Sequence, residues 1–138
     1  MKTILITGAG KGIGLETAKL AVDEGHSVIA ISRNISALEA IEGVQAYSVD
    51  LSSEEAIHGF VQKIANTQID VLINNAGVLT NTPVVESSFA LFEKIYKVNV
   101  FGLAELTRQL LPQIPSSGHV VSISSMGGIQ GSAKFPGL

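Results

Sequence analysis

Short, continuous runs of branched apolar residues alternate along this chain with longer amphipathic stretches. That alternation restricts the fold more than any other feature. The apolar runs are Thr3–Thr7, Ser27–Ser32, Val44–Val49, Asp70–Asn74 and His119–Ser124. Helical patterns lie between them at Gly12–Glu24, Ser36–Ile41, Ser53–Asn66 and Ser88–Leu111. Unbroken Val/Ile/Leu runs suit strands covered on both faces, whereas a half-solvated strand alternates apolar and polar residues. A repeated β-α order implies right-handed crossovers and a parallel sheet. The expectation is an α/β fold with a doubly wound parallel sheet, formed by residues 1–138 as a single domain.

Local signals refine the elements. Ile13, Thr17, Leu20 and Ala21 recur at helical spacing and are expected to form the apolar face of the first helix. Gly25 is placed to end it. Ser52 or Ser53 can cap the third helix, with Glu54 and Glu55 favourable to its dipole. Ile57, Phe60, Val61 and Ile64 form its apolar face. Pro112 and Pro115 close the fourth helical stretch. The stretch from Met126 to Leu138 is rich in glycine and reads as a loop. Phe89, Phe92 and Tyr96 share helical spacing and read as core or interface.

Composition excludes several classes. Hydrophobic residues make up 46% and charged residues 15% of the chain, which excludes disorder. Mean hydropathy is +0.38, yet no run approaches the ~20 apolar residues of a membrane span. The glycine-rich turn at Gly8 comes too soon for a signal-peptide core. With no cysteine there is no disulfide scaffold, thiol nucleophile or cysteine-ligated metal, and a cytoplasmic location is expected. The net charge of −3 offers no basic stripe for nucleic acid or an anionic membrane. His26, His58 and His119 show no metal-ligand spacing.

The first apolar run leads directly into Thr7-Gly8-Ala9-Gly10-Lys11-Gly12-Ile13-Gly14, which opens a helix. Glycine admits close approach of a ligand to the backbone, and a helix N-terminus offers free N–H groups to a phosphate. The Gly-x-Gly-x-x-Gly spacing is not met, because Ile13 stands where the third glycine would fall. A Gly-Lys-Ser/Thr phosphate loop is not met either, because Gly12 follows Lys11.

The motif actually present, Thr-Gly-x-x-x-Gly-x-Gly, resembles the cofactor loop of the short-chain dehydrogenase/reductase family. Four further motifs carry the resemblance in the same order. Asp50-Leu51 resembles the motif whose acidic residue contacts the adenine. Asn74-Asn75-Ala76-Gly77 resembles the family's Asn-Asn-Ala-Gly. Asn99 resembles its active-site asparagine. Ser125, before Gly127-Gly128, resembles its active-site serine. Ser124 is the alternative to Ser125, and Asp50 also suits a helix cap. The resemblance covers nearly the whole chain and implies a Rossmann-like sheet and a nicotinamide dinucleotide site. Gly8, Lys11, Gly12, Ile13, Gly14, Ser32, Arg33, Asn34, Asp50, Leu51, Asn75, Ala76 and Gly77 would form that site.

NAD sites commonly place an acid after the second strand to bind the ribose hydroxyls. Here Ser32-Arg33-Asn34 occupies that region without one. Arg33, with Lys11, suits the 2′-phosphate of NADP, so NADP is expected over NAD.

The resemblance implies hydride transfer between the cofactor and a small carbonyl or alcohol substrate. Ser125 would bond the substrate oxygen, and Asn99 would support a water-linked proton relay. A tyrosine paired with a lysine four residues later supplies the proton in the family, but no Tyr-x-x-x-Lys occurs among residues 1–138. Tyr47, Tyr96 and Lys134 do not fit the pattern. The expectation is therefore a Rossmann-like sheet incomplete at its C-terminal side, in a truncated chain or one whose sequence stops early. By itself it should be inactive, and poorly soluble through an apolar edge at His119–Ile123. A complete chain is expected to form a homo-oligomer, dimer or tetramer. A non-catalytic dinucleotide-binding module is the alternative, and an extended nucleotide-sugar epimerase is disfavoured.

Overall fold

The five apolar runs become strands β1 (Thr3–Thr7), β2 (Ser27–Ser32), β3 (Val44–Ser48), β4 (Val71–Asn74) and β5 (His119–Ser122) in a computed structural model. The structure describes residues 1–131. All four pairings are parallel, and the strand order is β3-β2-β1-β4-β5. The chain runs outward from β1 to β3, then returns to the other side of β1. The seam between β1 and β4 is therefore the topological switch point, the place where an open α/β sheet binds its ligand. Central β1 sets the register, with Leu5 beside both Ile29 and Leu72.

Alternate side chains of β1 feed two cores. Leu5 faces α3 (Glu54–Lys63) and α5 (Leu103–Leu110), where it joins Ile57, Phe60, Leu106 and Leu110. Ile4 and Ile6 face α1 (Gly12–Asp23) and α2 (Ser36–Glu39), where they join Ala18, Ala21 and Leu38. Helices on both faces make the sheet doubly wound and Rossmann-like, as expected, and it does not close into a barrel. The expected face of α3 is the one that is buried, and Ser53 caps it by accepting from the Ala56 N–H at 3.1 Å.

The α1 face is a correction except at Ala21, which is buried as expected. Ile13 and Leu20 are 68% and 61% exposed, and the buried residues are Gly14, Ala18 and Ala21. Small residues here let the helix backbone lie close to the sheet, so packing selects size over hydrophobicity. Gly25 does end the helix, donating to the Val22 carbonyl at a φ of 78°.

The stretch expected as one helix from Ser88 to Leu111 is interrupted. It runs as α4 (Phe89–Tyr96), a π-helical segment (Lys97–Gly102), α5 and a final 3₁₀ turn (Leu111–Gln113). The widened segment holds Asn99, bonded to the distant Val78 backbone, and Gly102, packed against the Leu51 backbone. Phe89, Phe92 and Tyr96 are exposed and join neither core.

A short helix, α6 (Gly127–Gln130), replaces part of the expected glycine-rich loop. Its start is favoured by Ser125 Oγ, which accepts from the Gly127 N–H at 3.1 Å. The rest of that loop, from 132 onward with Lys134, lies outside the described residues. Among the described residues β5 has β4 as its one neighbour, and all four of its residues are exposed. No described helix is long and apolar enough to cross a membrane, and no described cluster of His, Asp and Glu could hold a metal.

Candidate functional site

The parallel ladder stops at the carboxyl ends of β1 and β4, and the N–H groups beyond it need acceptors. Thr7 supplies one. Its nearly buried hydroxyl oxygen accepts from the N–H groups of Asn75 at 3.0 Å and Ala76 at 2.9 Å. Asn75 returns the connection, its Nδ2 donating to the carbonyls of Thr7 (3.0 Å) and Gly8 (3.2 Å). These bonds pin the glycine loop to the Asn-Asn-Ala-Gly turn. Gly8 has a φ of 65°, and a Cβ there would stand 2.6 Å from the Ala76 Cα, so glycine is required twice over.

The loop then crosses β2, held by the Ala9 N–H donating to the Ile31 carbonyl at 3.1 Å. Gly12 opens α1, and Gly14 packs against the Asn75 amide. No side chain caps α1 and no acid sits in its first turn. Its first N–H groups and positive dipole end are thus left for an anionic group.

A cleft of about 190 Å³ lies over this seam. Gly8, Ser32, Arg33, Asp50, Leu51, Asn75, Ala76 and Gly77 line it, so eight of the sequence-derived positions converge there. Ile31, Val49, Val78 and Val98 complete the wall. Lys11, Arg33 and Asn34 border an adjoining hollow beyond Ser32. Asn34 shapes its rim by accepting the Ser36 N–H on Oδ1 at 3.0 Å. Ser48 Oγ donates to the Arg33 carbonyl at 3.0 Å and fixes the backbone there. The Arg33 and Lys11 side chains are exposed.

Asp50 sits at one end of the cleft. Its Oδ1 accepts from the Ser52 N–H at 2.9 Å and the Ser52 hydroxyl at 2.7 Å. These two bonds, backbone first, hold its carboxyl below the usual range, and the Arg33 charge adds to them. Asp50 is therefore an anion that shapes its own turn, while Ser53 is the helix cap.

Asn99 spends its side chain on backbone. Its Oδ1 accepts from the Val78 N–H at 2.8 Å, and its Nδ2 donates to the Val78 carbonyl at 2.9 Å. It fixes the strand end just past Gly77 and does not line the cleft. Ser125 follows β5, is exposed, and also lies outside the cleft lining. Ile13 points to solvent. Asn74 is buried, donating from Nδ2 to Thr107 Oγ1 at 3.1 Å, while its Oδ1 lacks a partner.

Sequence reasoning missed Ile31, Val49, Val78 and Val98, whose apolar side chains carry no chemical signature. It quoted Thr7 within a motif without giving it a role, although a hydroxyl between an apolar strand and a glycine was the available signal.

Comparison with known proteins places this geometry. The sequence model described as short chain dehydrogenase matches residues 2–137. Ketoacyl reductase HetN from Nostoc sp. is 35% identical over 96% of this chain and 50% of its own length. The chain spans about half the length of the curated relatives it matches. The crystal structure of a short-chain dehydrogenase from Streptomyces avermitilis superposes with a TM-score of 0.86 at 36% identity, covering 92% of this chain and 50% of that one. A 4-hydroxyisoleucine dehydrogenase complexed with NADH gives 0.88 at 30% identity, covering 97% of this chain and 59% of that one.

Proposed function

This chain belongs to the short chain dehydrogenase family of oxidoreductases, and from that premise we propose that it forms the cofactor-binding part of an NADP(H)-dependent enzyme interconverting a carbonyl and an alcohol. The observation that carries the reading is the cleft at the β1–β4 switch point, with an anionic Asp50 inside it and Lys11 and Arg33 together at its outer hollow.

The residues fit such a cofactor. The free carboxylate oxygen of Asp50 can accept from an adenine amino group, between the apolar walls of Val49, Leu51 and Val98. The uncapped start of α1 suits a pyrophosphate. Arg33 and Lys11 suit a 2′-phosphate, and Ser32-Arg33-Asn34 brings no acid of its own beside it. The relative complexed with NADH supports the dinucleotide class, and Arg33 with Lys11 supports the choice of NADP within it.

A dinucleotide held by these residues would supply hydride transfer to or from the substrate carbon. Ser125 is assigned a hydrogen bond to the substrate oxygen, and Asn99 is assigned to hold the Val78 backbone at the cleft wall. Within this reading residues 1–138 are one dinucleotide-binding domain of a cytoplasmic protein. The exposed Phe89, Phe92 and Tyr96 are candidates for a contact within a homo-oligomer. Because residues 1–138 hold no Tyr-x-x-x-Lys, this segment alone is expected to show no turnover.

The test is calorimetric titration of the intact protein and its Arg33→Asp variant with NADP⁺ and NAD⁺. The variant should lose about tenfold in NADP⁺ affinity relative to NAD⁺, the scale of one charge-assisted contact. An unchanged preference overturns the cofactor assignment. Binding of neither dinucleotide overturns the reading as a whole.

A further inference from the structure

Gly102 is buried inside a helical stretch, where glycine costs about 1 kcal/mol relative to alanine. A Cβ there would overlap the carbonyl oxygen of Leu51 and approach the Leu51 carbonyl carbon to 2.9 Å. The long helical stretch therefore rests, backbone against backbone, on the Asp50–Leu51 turn. That contact falls at the end of the π-helical segment, and such segments often mark functional positions. Three residues earlier Asn99 grips both backbone groups of Val78, and Val98 itself lines the cleft. One widened turn thus touches the cleft wall at two sequence-distant places: Val78 after β4 and Leu51 after β3.

Gly59, in α3, makes the contrast. A Cβ there would meet nothing within 4 Å. Its glycine serves no close approach, whereas that of Gly102 does. Leu51, 7% exposed, packs into the α3/α5 core while also lining the cleft. A shift of its carbonyl would therefore carry Asp50 and the cleft wall with it.

We propose that Gly102 is a positioning residue for the adenine end of the cleft. Its missing side chain lets the helix seat on the Leu51 carbonyl and hold the Asp50–Leu51 turn at the depth a purine needs. This rests on the dinucleotide reading above.

The experiment compares the intact protein with its Gly102→Ala and Gly59→Ala variants, titrated with adenosine 2′,5′-bisphosphate and with NADPH. Gly102→Ala should weaken both ligands by the same factor, about tenfold for displaced packing of this kind. The nicotinamide emission of bound NADPH at saturation should stay unchanged, because the displaced turn lies at the other end of the cleft. Gly59→Ala should alter neither. Should Gly102→Ala not fold, hydrogen exchange on the unaltered protein decides. Adenosine 2′,5′-bisphosphate must then slow exchange at residues 102–106 as well as at 50–53. Unchanged affinity in folded Gly102→Ala, altered bound emission, or no slowing at 102–106 overturns the role of Gly102 alone. Failure of the unaltered protein to bind the adenosine ligand overturns it together with the dinucleotide reading.

Discussion

The two faces of the sheet solve the same problem with opposite materials. Beneath α3 and α5 the core is built from large side chains: Ile57, Phe60, Leu106 and Leu110, all 3% exposed or less. Beneath α1 the contact is made by Gly14, Ala18 and Ala21. A thick layer holds α3 and α5 off the sheet and forms the larger of the two buried clusters. A thin layer brings α1 close, so that its N-terminus meets the glycine loop at the cleft. One face is shaped for stability and the other for the placement of a helix end.

Substitutions should separate the two. Leu106→Ala removes a fully buried side chain from the thick face and should cost about 3 kcal/mol, measured by urea unfolding. Dinucleotide affinity in the folded fraction should be unchanged. Ala18→Leu thickens the thin face. It should cost about 2 kcal/mol through overpacking and also weaken dinucleotide binding, because α1 must lift. Equal loss of binding in both variants would break the comparison.

Thr7→Val keeps the side-chain shape at the seam and withdraws the acceptor from two N–H groups. A loss of about 1–2 kcal/mol is expected, with weaker cofactor binding, by the same measurements.

The smallest effect lies at the opposite end of the strands. The Thr3 N–H, then Gln68, hold the Asp70 carboxyl below its ordinary 3.8. A depressed carboxyl stabilises the fold above its unfolded value and loses that contribution as pH falls through the folded one. The stability gap between the protein and Asp70→Asn should be constant near neutral pH and close below about pH 4. A gap that does not narrow at all as the pH is lowered beneath 3.8 would remove the carboxylate from the explanation.

The same comparison marks what the residues revealed by themselves. The strands and the α3 face were legible, because branched apolar runs and the Ile57/Phe60/Val61/Ile64 stripe report burial directly. The α1 face was misread, since periodicity weighs Ile13 and Leu20 above Gly14 and Ala18 while the close seam rewards smallness. The helix interruption at Lys97–Gly102 left no local trace. It depends on Val78, 21 residues from Asn99, and on Leu51, farther still from Gly102. In the cleft, Gly8, Asn75 and Asp50 were legible because their backbone roles demand particular residue types. Val78 and Val98 were not, since any apolar side chain of similar size would serve.

The strap between Thr7 and Asn75 also carries a temporal consequence. Its partners stand 68 residues apart, whereas β2 follows β1 through a single helix. Closing the longer loop costs more chain entropy, so local β1-α1-β2 contacts should form before the seam does. Thr7→Val should then leave the folding rate nearly unchanged and speed unfolding. A refolding rate that falls in step with stability would place the seam in the nucleus. On the expected order the cleft forms after the β1-α1-β2 unit, and a growing chain has no place to hold a ligand until Val98 has been made.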